Sequence, residues 1–272
     1  MKEKTLKGNV EFSGVGVHTG RVSEIALEPS EGNGIVFLKN GVEIPGTLDS
    51  LKFCNRGITL SKNGEEIKTV EHLMSAFYAC GIDHVKVKVE EDEIPALDGS
   101  AYPFISKIEG VGIKELKKEK VKSYINSSIT VEDKGCYAYC RPFESLKIHY
   151  IISYNHPLLR YQEYVFNGKS NFKEDIARSR TYGFLSWKEE LNRSGYALGA
   201  SEENTLVYTE EGLLNKANSP DEAVKHKIAD LIGELYLIKP VPIGEYFIFR
   251  GGHSLHLRLI KEIKRSRDEI RY

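Results

Sequence analysis

SPDEAVKHKIADLIGELYLI, residues 219–238, is the stretch on which the fold turns. Ser219 stands at an N-cap position, Pro220 at the first helical position and Glu222 three residues after the cap, the pattern of a helix start. Val224, Ile228, Leu231 and Leu235 then recur at helical spacing and make one apolar stripe. The spacing predicts a helix from about 220 to 238, the strongest of the chain. His226, Asp230 and Glu234 form a second row, each four residues from the next, stacked one turn apart on another face. An imidazole and a carboxylate so spaced can bring a nitrogen and an oxygen to about 2.0–2.2 Å from one Zn²⁺. The same pair also occurs on surface helices as a plain solvated contact, so the spacing alone leaves both readings open.

A second helix start lies far upstream. In TVEHLMSAFYACG (69–81), Thr69 reads as N-cap and Gly81 as the residue just past the end. Glu71 and His72 fall in the first turn, where the helix dipole favours an ionised carboxylate and a neutral imidazole. A neutral imidazole is the metal-binding form. Neighbouring helical side chains point about 100° apart, so His72 can face a metal while Glu71 faces water beside it. A Glu serving the dipole and a His packed at a helix end would look the same. After a strand at 246–249, Gly251-Gly252 allows a sharp loop that presents His253 at the mouth of a cleft. GVGVHTG (14–20) has its third glycine one residue late for a dinucleotide fingerprint and lacks the ending of a P-loop. It reads instead as a tight glycine turn that places His18 and Thr19 near a ligand.

Outward from these segments, short β-branched runs at 10–12, 23–27 and 35–38 read as strands, and Asn63-Gly64 as a hairpin turn. Residues 84–90 alternate Val with Lys, as a half-solvated strand does. Residues 94–100 read as a turn leading into a short helix at 101–105. Strands follow near 129–131, 136–140 and 146–153, then helical spacing near 174–179 and 186–193 and a basic amphipathic end. The order strands–helix–strand–helix appears in each half without a residue-level repeat. This predicts an α+β chain of two similar layered domains. The mixed-charge run KELKKEKVK (114–122) reads as a solvated connection, so the domains are placed at 1–118 and 123–272.

Composition narrows the function classes. The 272 residues carry 38 Lys plus Arg and 39 Asp plus Glu, a net charge of -1, which excludes a protein that wraps nucleic acid by bulk charge. No window nears the roughly 18–20 apolar residues of a membrane span, and the charged start has no apolar core of a signal peptide after it. Cys54, Cys80, Cys136 and Cys140 fit neither a paired zinc motif nor a small disulfide framework, so reduced thiols in a cytoplasmic protein are expected.

GVGVHTG (14–20), TVEHLMSA (69–76), EIPALDGSAYPF (93–104), SRTYGF (179–184), HKIADLIGELYLI (226–238) and GGHSL (251–255) occur in this order. Together they resemble the zinc-dependent UDP-3-O-acyl-N-acetylglucosamine deacetylases, which carry out the committed step of lipid A synthesis in Gram-negative bacteria. The resemblance runs from about residue 10 to 260. It implies two layered β-α-α-β domains packed together with the active site between them, in a monomer whose partner is its small-molecule substrate. It implies zinc held by His72, His226 and Asp230, with a position left for water. Glu71 then becomes the general base, His253 the acid, Thr181 a hydrogen-bond donor to the oxyanion, and Lys227 a cation in the substrate site, with His18 and Tyr182 beside it. Glu234 stands where the family usually has an Asp that partners the catalytic His. Tyr182 stands where Phe is common. An acyl-chain passage is expected in an insertion near 185–200, lined by Leu185, Leu191, Tyr196 and Leu198. Cys54 and Cys80 are not expected to be ligands. A different zinc amidase on the same scaffold is the main rival reading, and the Glu234 difference is its first sign. A non-catalytic sugar-nucleotide-binding relative is the other; the joint presence of Glu71, His253 and Thr181 counts against it.

Overall fold

In a computed structural model of the chain, which describes residues 1–52, 56–167 and 171–269, two five-stranded sheets share one strand order. The first runs Val10–Val15, Val22–Pro29, Val85–Val89, Ile35–Lys39, Val42–Pro45. The second runs Ile129–Asp133, Cys136–Arg141, Glu245–Phe249, Lys147–Ile152, Gln162–Phe166. In both, the last strand in sequence is inserted in the middle, antiparallel to one neighbour and parallel to the other. A parallel neighbour requires a crossover, and each half supplies it with a helix. Helix α1 (Glu71–Cys80) precedes the first closing strand and α2 (Tyr102–Val111) follows it. In the second half the short α3 (Phe172–Asp175) and α4 (Lys188–Arg193) lead to α5 (Glu222–Leu235) before the closing strand, and α6 (His253–Glu269) comes after it. Thus α1 and α5 hold equivalent places in two repeats of the α+β pattern.

The strand chemistry explains which face each sheet buries. Val85, Val87 and Val89 are buried, while Lys86 and Lys88 lie toward solvent, so one face packs on helices and the other stays wet. Asn63 and Gly64 both take positive φ and join Thr59–Lys62 to Glu65–Lys68, as a primed hairpin turn demands. Helices α1 and α5 meet at the centre of the molecule. A Cβ on Gly233 would lie 2.1 Å from the Glu71 carbonyl oxygen, so the two helices cross backbone against backbone there.

Several expectations are corrected. The charged run from 114 is no linker: Ile113–Glu119 is a strand antiparallel to Lys2–Leu6, and its lysines and glutamates line an exposed two-stranded ribbon. Only residues 120–122 connect the halves. Val70, not Thr69, precedes α1; Thr69 has a φ of 59° and its hydroxyl donates to Glu93. Helix α5 starts at Glu222 rather than Pro220, because the Glu222 carboxylate accepts from Arg180 and Asn218 instead of closing a capping box. It is an interior helix, which removes the solvated reading of the His226–Asp230 pair: within it Lys225 and Lys227 alone are not buried. His253 is the first residue of α6 rather than part of a loop. Gly81 does end α1 in the left-handed conformation, with the Ile82 N–H reaching back to the Phe77 carbonyl. The helix expected at 101–105 runs on to Val111, and the one expected near 186–193 is α4. The one expected near 174–179 is instead the single turn α3, which begins at Phe172 and ends at Asp175. No helix among the described residues is long and apolar enough to cross a membrane.

Candidate active site

The crossing of α1 and α5 brings one residue of the first helix against two of the second. His72 Nε2 lies 3.6 Å from Asp230 Oδ1, and His226 Nε2 lies 3.3 Å from the same oxygen. The three ligand atoms all fall within 4.8 Å of one another, and all three residues are buried. Two atoms each about 2.1 Å from one tetrahedral centre sit about 3.4 Å apart, so this spacing matches a shared ion. The donor chemistry agrees. The His226 Nδ1–H donates to the Ser179 carbonyl at 3.0 Å, which leaves Nε2 with its lone pair toward the site. Burial drives the His226 pKa down to about 3, keeping the ring neutral. Asp230 Oδ1 is buried with no hydrogen-bond donor. Lone pairs that converge without a proton or a cation between them are costly in a buried site. A divalent cation relieves that cost, and the residues present fit one.

Asp230 Oδ2 is occupied differently. Lys227 Nζ donates to it at 2.8 Å. Burial opposes ionisation of Asp230, but the Lys227 ammonium bonded to it outweighs that and holds the carboxyl well below its usual range. Lys227 is therefore not a solvated helix lysine; it is anchored to the ligand set, with the Tyr182 ring under its ammonium group. His72 departs from the neutral ring expected at this helix start: burial opposes protonation, but Asp230 and Glu71 more than offset it and raise the pKa, so a cation bound there would take the place of that proton.

Glu71 is buried, and its carboxylate accepts the Ile58 N–H at 3.0 Å. Burial pushes its pKa up, and the nearby Asp230 adds to the rise, which suits a proton acceptor working near neutral pH. His253 Nδ1 lies 2.5 Å from Glu234 Oε1, and its Nε2 is 4.0 Å from Asp230 Oδ2. The additional methylene of Glu234 thus reaches the imidazole. Burial raises the Glu234 pKa to about 7 against the opposing pull of His253.

A cleft of about 820 Å³ opens over this group, lined from both halves of the chain. His18, Glu71 and His72 come from the first half; Thr181, Tyr182, Lys227 and His253 come from the second. Thr181 is set by its N–H donating to the Gly99 carbonyl. The Tyr182 hydroxyl pairs with that of Tyr154 at 2.9 Å. Leu185, Leu191 and Tyr196 line the cleft as expected, joined by Phe184 and Trp187. Leu198 does not: it is exposed, and its N–H donates to the His18 carbonyl. Cys80 is buried in the core; Cys54 lies outside the described residues.

Sequence reasoning missed two organising residues. Glu93 is buried, and its carboxylate accepts the N–H groups of His18 and Thr19 and the Thr69 hydroxyl. The glycine turn of 14–20 is thus wrapped around an internal anion, and a Cβ on Gly16 would lie 2.3 Å from that carboxylate. The signal was the acidic residue just before the Ile94-Pro95 turn. His256 is the other: its Nδ1 lies 2.8 Å from Glu234 Oε2. Its signal was a second His three residues after His253.

Comparison with known proteins gives the family. The family model described as "LpxC: UDP-3-O-acyl N-acetylglycosamine deacetylase" matches residues 3–265. A UDP-3-O-acyl-N-acetylglucosamine deacetylase of Nautilia profundicola is 40% identical over 97% of this chain and 92% of its own length. Proteins of the same name from Sulfurimonas denitrificans and Saccharophagus degradans are 36% and 37% identical, over 97% and 98% of this chain and 92% of their own lengths.

Proposed function

The chain belongs to the LpxC family of UDP-3-O-acyl N-acetylglycosamine deacetylases, and on that premise we propose how its residues share the work. It is a hydrolase that removes the acetyl group from UDP-3-O-acyl-N-acetylglucosamine, releasing acetate, in lipid A synthesis. His72, His226 and Asp230 would hold the metal, and two imidazoles with one carboxylate are a donor set that suits zinc. The observation that carries this reading is Asp230 Oδ1, buried, without a donor and faced by two imidazole nitrogens.

Zinc supplies Lewis acidity when bound, polarising the amide carbonyl and acidifying the attacking water. The chain's own groups do the rest. Glu71, held by the Ile58 N–H, takes the proton from water as it adds to the acetyl carbon. Thr181 and the His253 imidazolium donate to the developing oxyanion. His253 then delivers its proton to the departing amine nitrogen, and Glu234 holds the ring while it is charged. Lys227 keeps the Asp230 carboxylate oriented and places a cation beside the anionic sugar nucleotide. His18 and Tyr182 line the substrate side of the cleft, and Leu185, Leu191 and Tyr196 line the acyl passage.

The division at 1–118 and 123–272 is supported by each five-stranded sheet being built wholly from one half. A monomer in the cytoplasm is the matching assignment: Cys80, Cys136 and Cys140 are free thiols, as a reducing compartment keeps them. The test is acetate release from the acylated UDP-sugar against simple N-acetylated compounds. Selective turnover of the former supports the assignment; equal turnover of both supports the rival amidase, and none supports the non-catalytic relative.

A further inference from the structure

The hydrogen-bond chain that begins at His253 does not stop at Glu234. Glu234 Oε1 meets His253 Nδ1 at 2.5 Å, and Oε2 meets His256 Nδ1 at 2.8 Å. His256 Nε2 in turn meets the Tyr150 hydroxyl at 2.7 Å. Tyr150, Glu234 and His256 are all 0% exposed, so the network is closed to bulk solvent. We propose that His256, fixed by Tyr150, is a positioning residue for the proton donor: by occupying one oxygen of Glu234 it aims the other at His253 and holds the His253 Nε2 toward the reacting centre.

With Glu234 ionised, one assignment of protons pairs every contact of this network. The Tyr150 O–H donates to His256 Nε2, the His256 Nδ1–H donates to Glu234 Oε2, and the His253 Nδ1–H donates to Glu234 Oε1. His253 Nε2 is then the one imidazole nitrogen of the set left facing the cleft. Burial keeps His256 neutral, driving its pKa to about 3, so it acts through its N–H and not as a second cation. The clamp answers a need created by Glu234. A Glu carries one more rotatable bond than an Asp, and a carboxylate held at one oxygen alone would be free to turn.

The backbone makes room for the same pair. A Cβ on Gly251 would lie 3.0 Å from both His256 Nε2 and the Tyr150 hydroxyl, and 2.4 Å from Ile248 Cγ2. Gly252 would meet nothing. The first glycine therefore clears space over the Tyr150–His256 bond. His253 and His256 are three apart at the start of α6, so one helix face carries both rings to Glu234.

The inference rests on His253 being the proton donor, and the test separates the two claims. Acetate release is measured with the zinc-loaded full chain and its His256→Leu, His256→Asn and Tyr150→Phe variants. Spectra of ¹⁵N-labelled histidine report the His253 tautomer in each. His256→Leu is expected to lower kcat about tenfold or more with KM changed less than about twofold. His256→Asn keeps an N–H where Nδ1 was, and should recover to within about threefold of the parent. At a pH where the ring is neutral, His253 should be a single Nδ1–H tautomer in the parent and in His256→Asn, and mixed in His256→Leu. Parent-like kcat and tautomer in His256→Leu overturn the proposal. So does an equal loss in the Leu and Asn variants with the His253 tautomer unchanged, since that marks a purely structural residue. Should His256→Leu fail to fold, Tyr150→Phe decides: a fall in kcat of about threefold with altered His256 signals supports the clamp, and parent values refute it. A parent chain that releases no acetate defeats the proton-donor reading, while the tautomer comparison still tests the clamp.

Discussion

Asp230 divides its two oxygens between two tasks. Oδ2 is satisfied by Lys227 and Oδ1 is left bare toward two imidazoles. Asp230→Asn preserves the shape but puts an amide in place of an anionic oxygen; zinc content measured by elemental analysis should fall from about one per chain to well under half. Glu71→Ala and His253→Ala act on the reaction instead. Each should lower turnover by about two or more orders of magnitude while zinc stays bound, and parent-like activity in either would defeat its assigned role. His256 also marks the molecule's acid sensitivity. Its pKa falls from 6.5 to about 3 on folding, so its contribution to stability is fully present above pH 6.5 and is lost as pH falls toward 3. At pH 5 that loss is about 2 kcal/mol. Glu234 runs the other way: its pKa rises to about 7, so its contribution is present below 4.5 and is lost as pH climbs through 7. Denaturant titrations of the parent against His256→Asn isolate the former, and the variant's stability should fall less steeply between pH 6.5 and 4. At this scale the sequence was partly legible. His226, Asp230 and Glu234 stood out because helical spacing is local. Glu93 and the Tyr150–His256 pair did not, since their partners lie 75 and 106 residues away.

Among the elements, α1 and α5 carry the site because nothing separates their backbones at Gly233. Gly233→Ala places a methyl group 2.1 Å from the Glu71 carbonyl oxygen, and the helices must part. The cost is about 1–3 kcal/mol, and zinc affinity should weaken about tenfold or more, read by melting temperature and metal competition. Unchanged affinity would show that the crossing does not set the ligand geometry. A second close approach joins the glycine turn to the insertion: the N–H groups of Leu198 and Gly199 donate to the carbonyls of His18 and Val17, and a Cβ on Gly199 would lie 2.3 Å from the Gly16 carbonyl oxygen. Gly199→Ala should raise KM for the acylated substrate with little change in kcat, because it disturbs the acyl passage proposed above and not the reacting centre. Helix α5 was readable from its apolar spacing and α1 from the Gly81 that ends it. Their N-terminal caps were not, because Thr69 and Glu222 are recruited by Glu93 and Arg180, partners that no local pattern reveals. The ribbon of Lys2–Leu6 and Ile113–Glu119 was hidden for a similar reason: its solvated charges look like a linker until the pairing is seen.

For the whole molecule, the governing fact is the repeat. Two sheets with the same order place α1 and α5 in equivalent positions, and packing the repeats together brings His72 onto His226 and Asp230. The repeat was visible in the order of elements but not in the residues, because topology constrains backbone direction far more than side-chain identity. In the mechanism proposed, one divalent ion joins the two halves. Crystals of the zinc-loaded chain, measured at the zinc absorption edge, would show it as a single strong anomalous peak about 2.0–2.2 Å from His72 Nε2, His226 Nε2 and Asp230 Oδ1. A peak elsewhere, or none between those three atoms in a chain that still releases acetate, would contradict it.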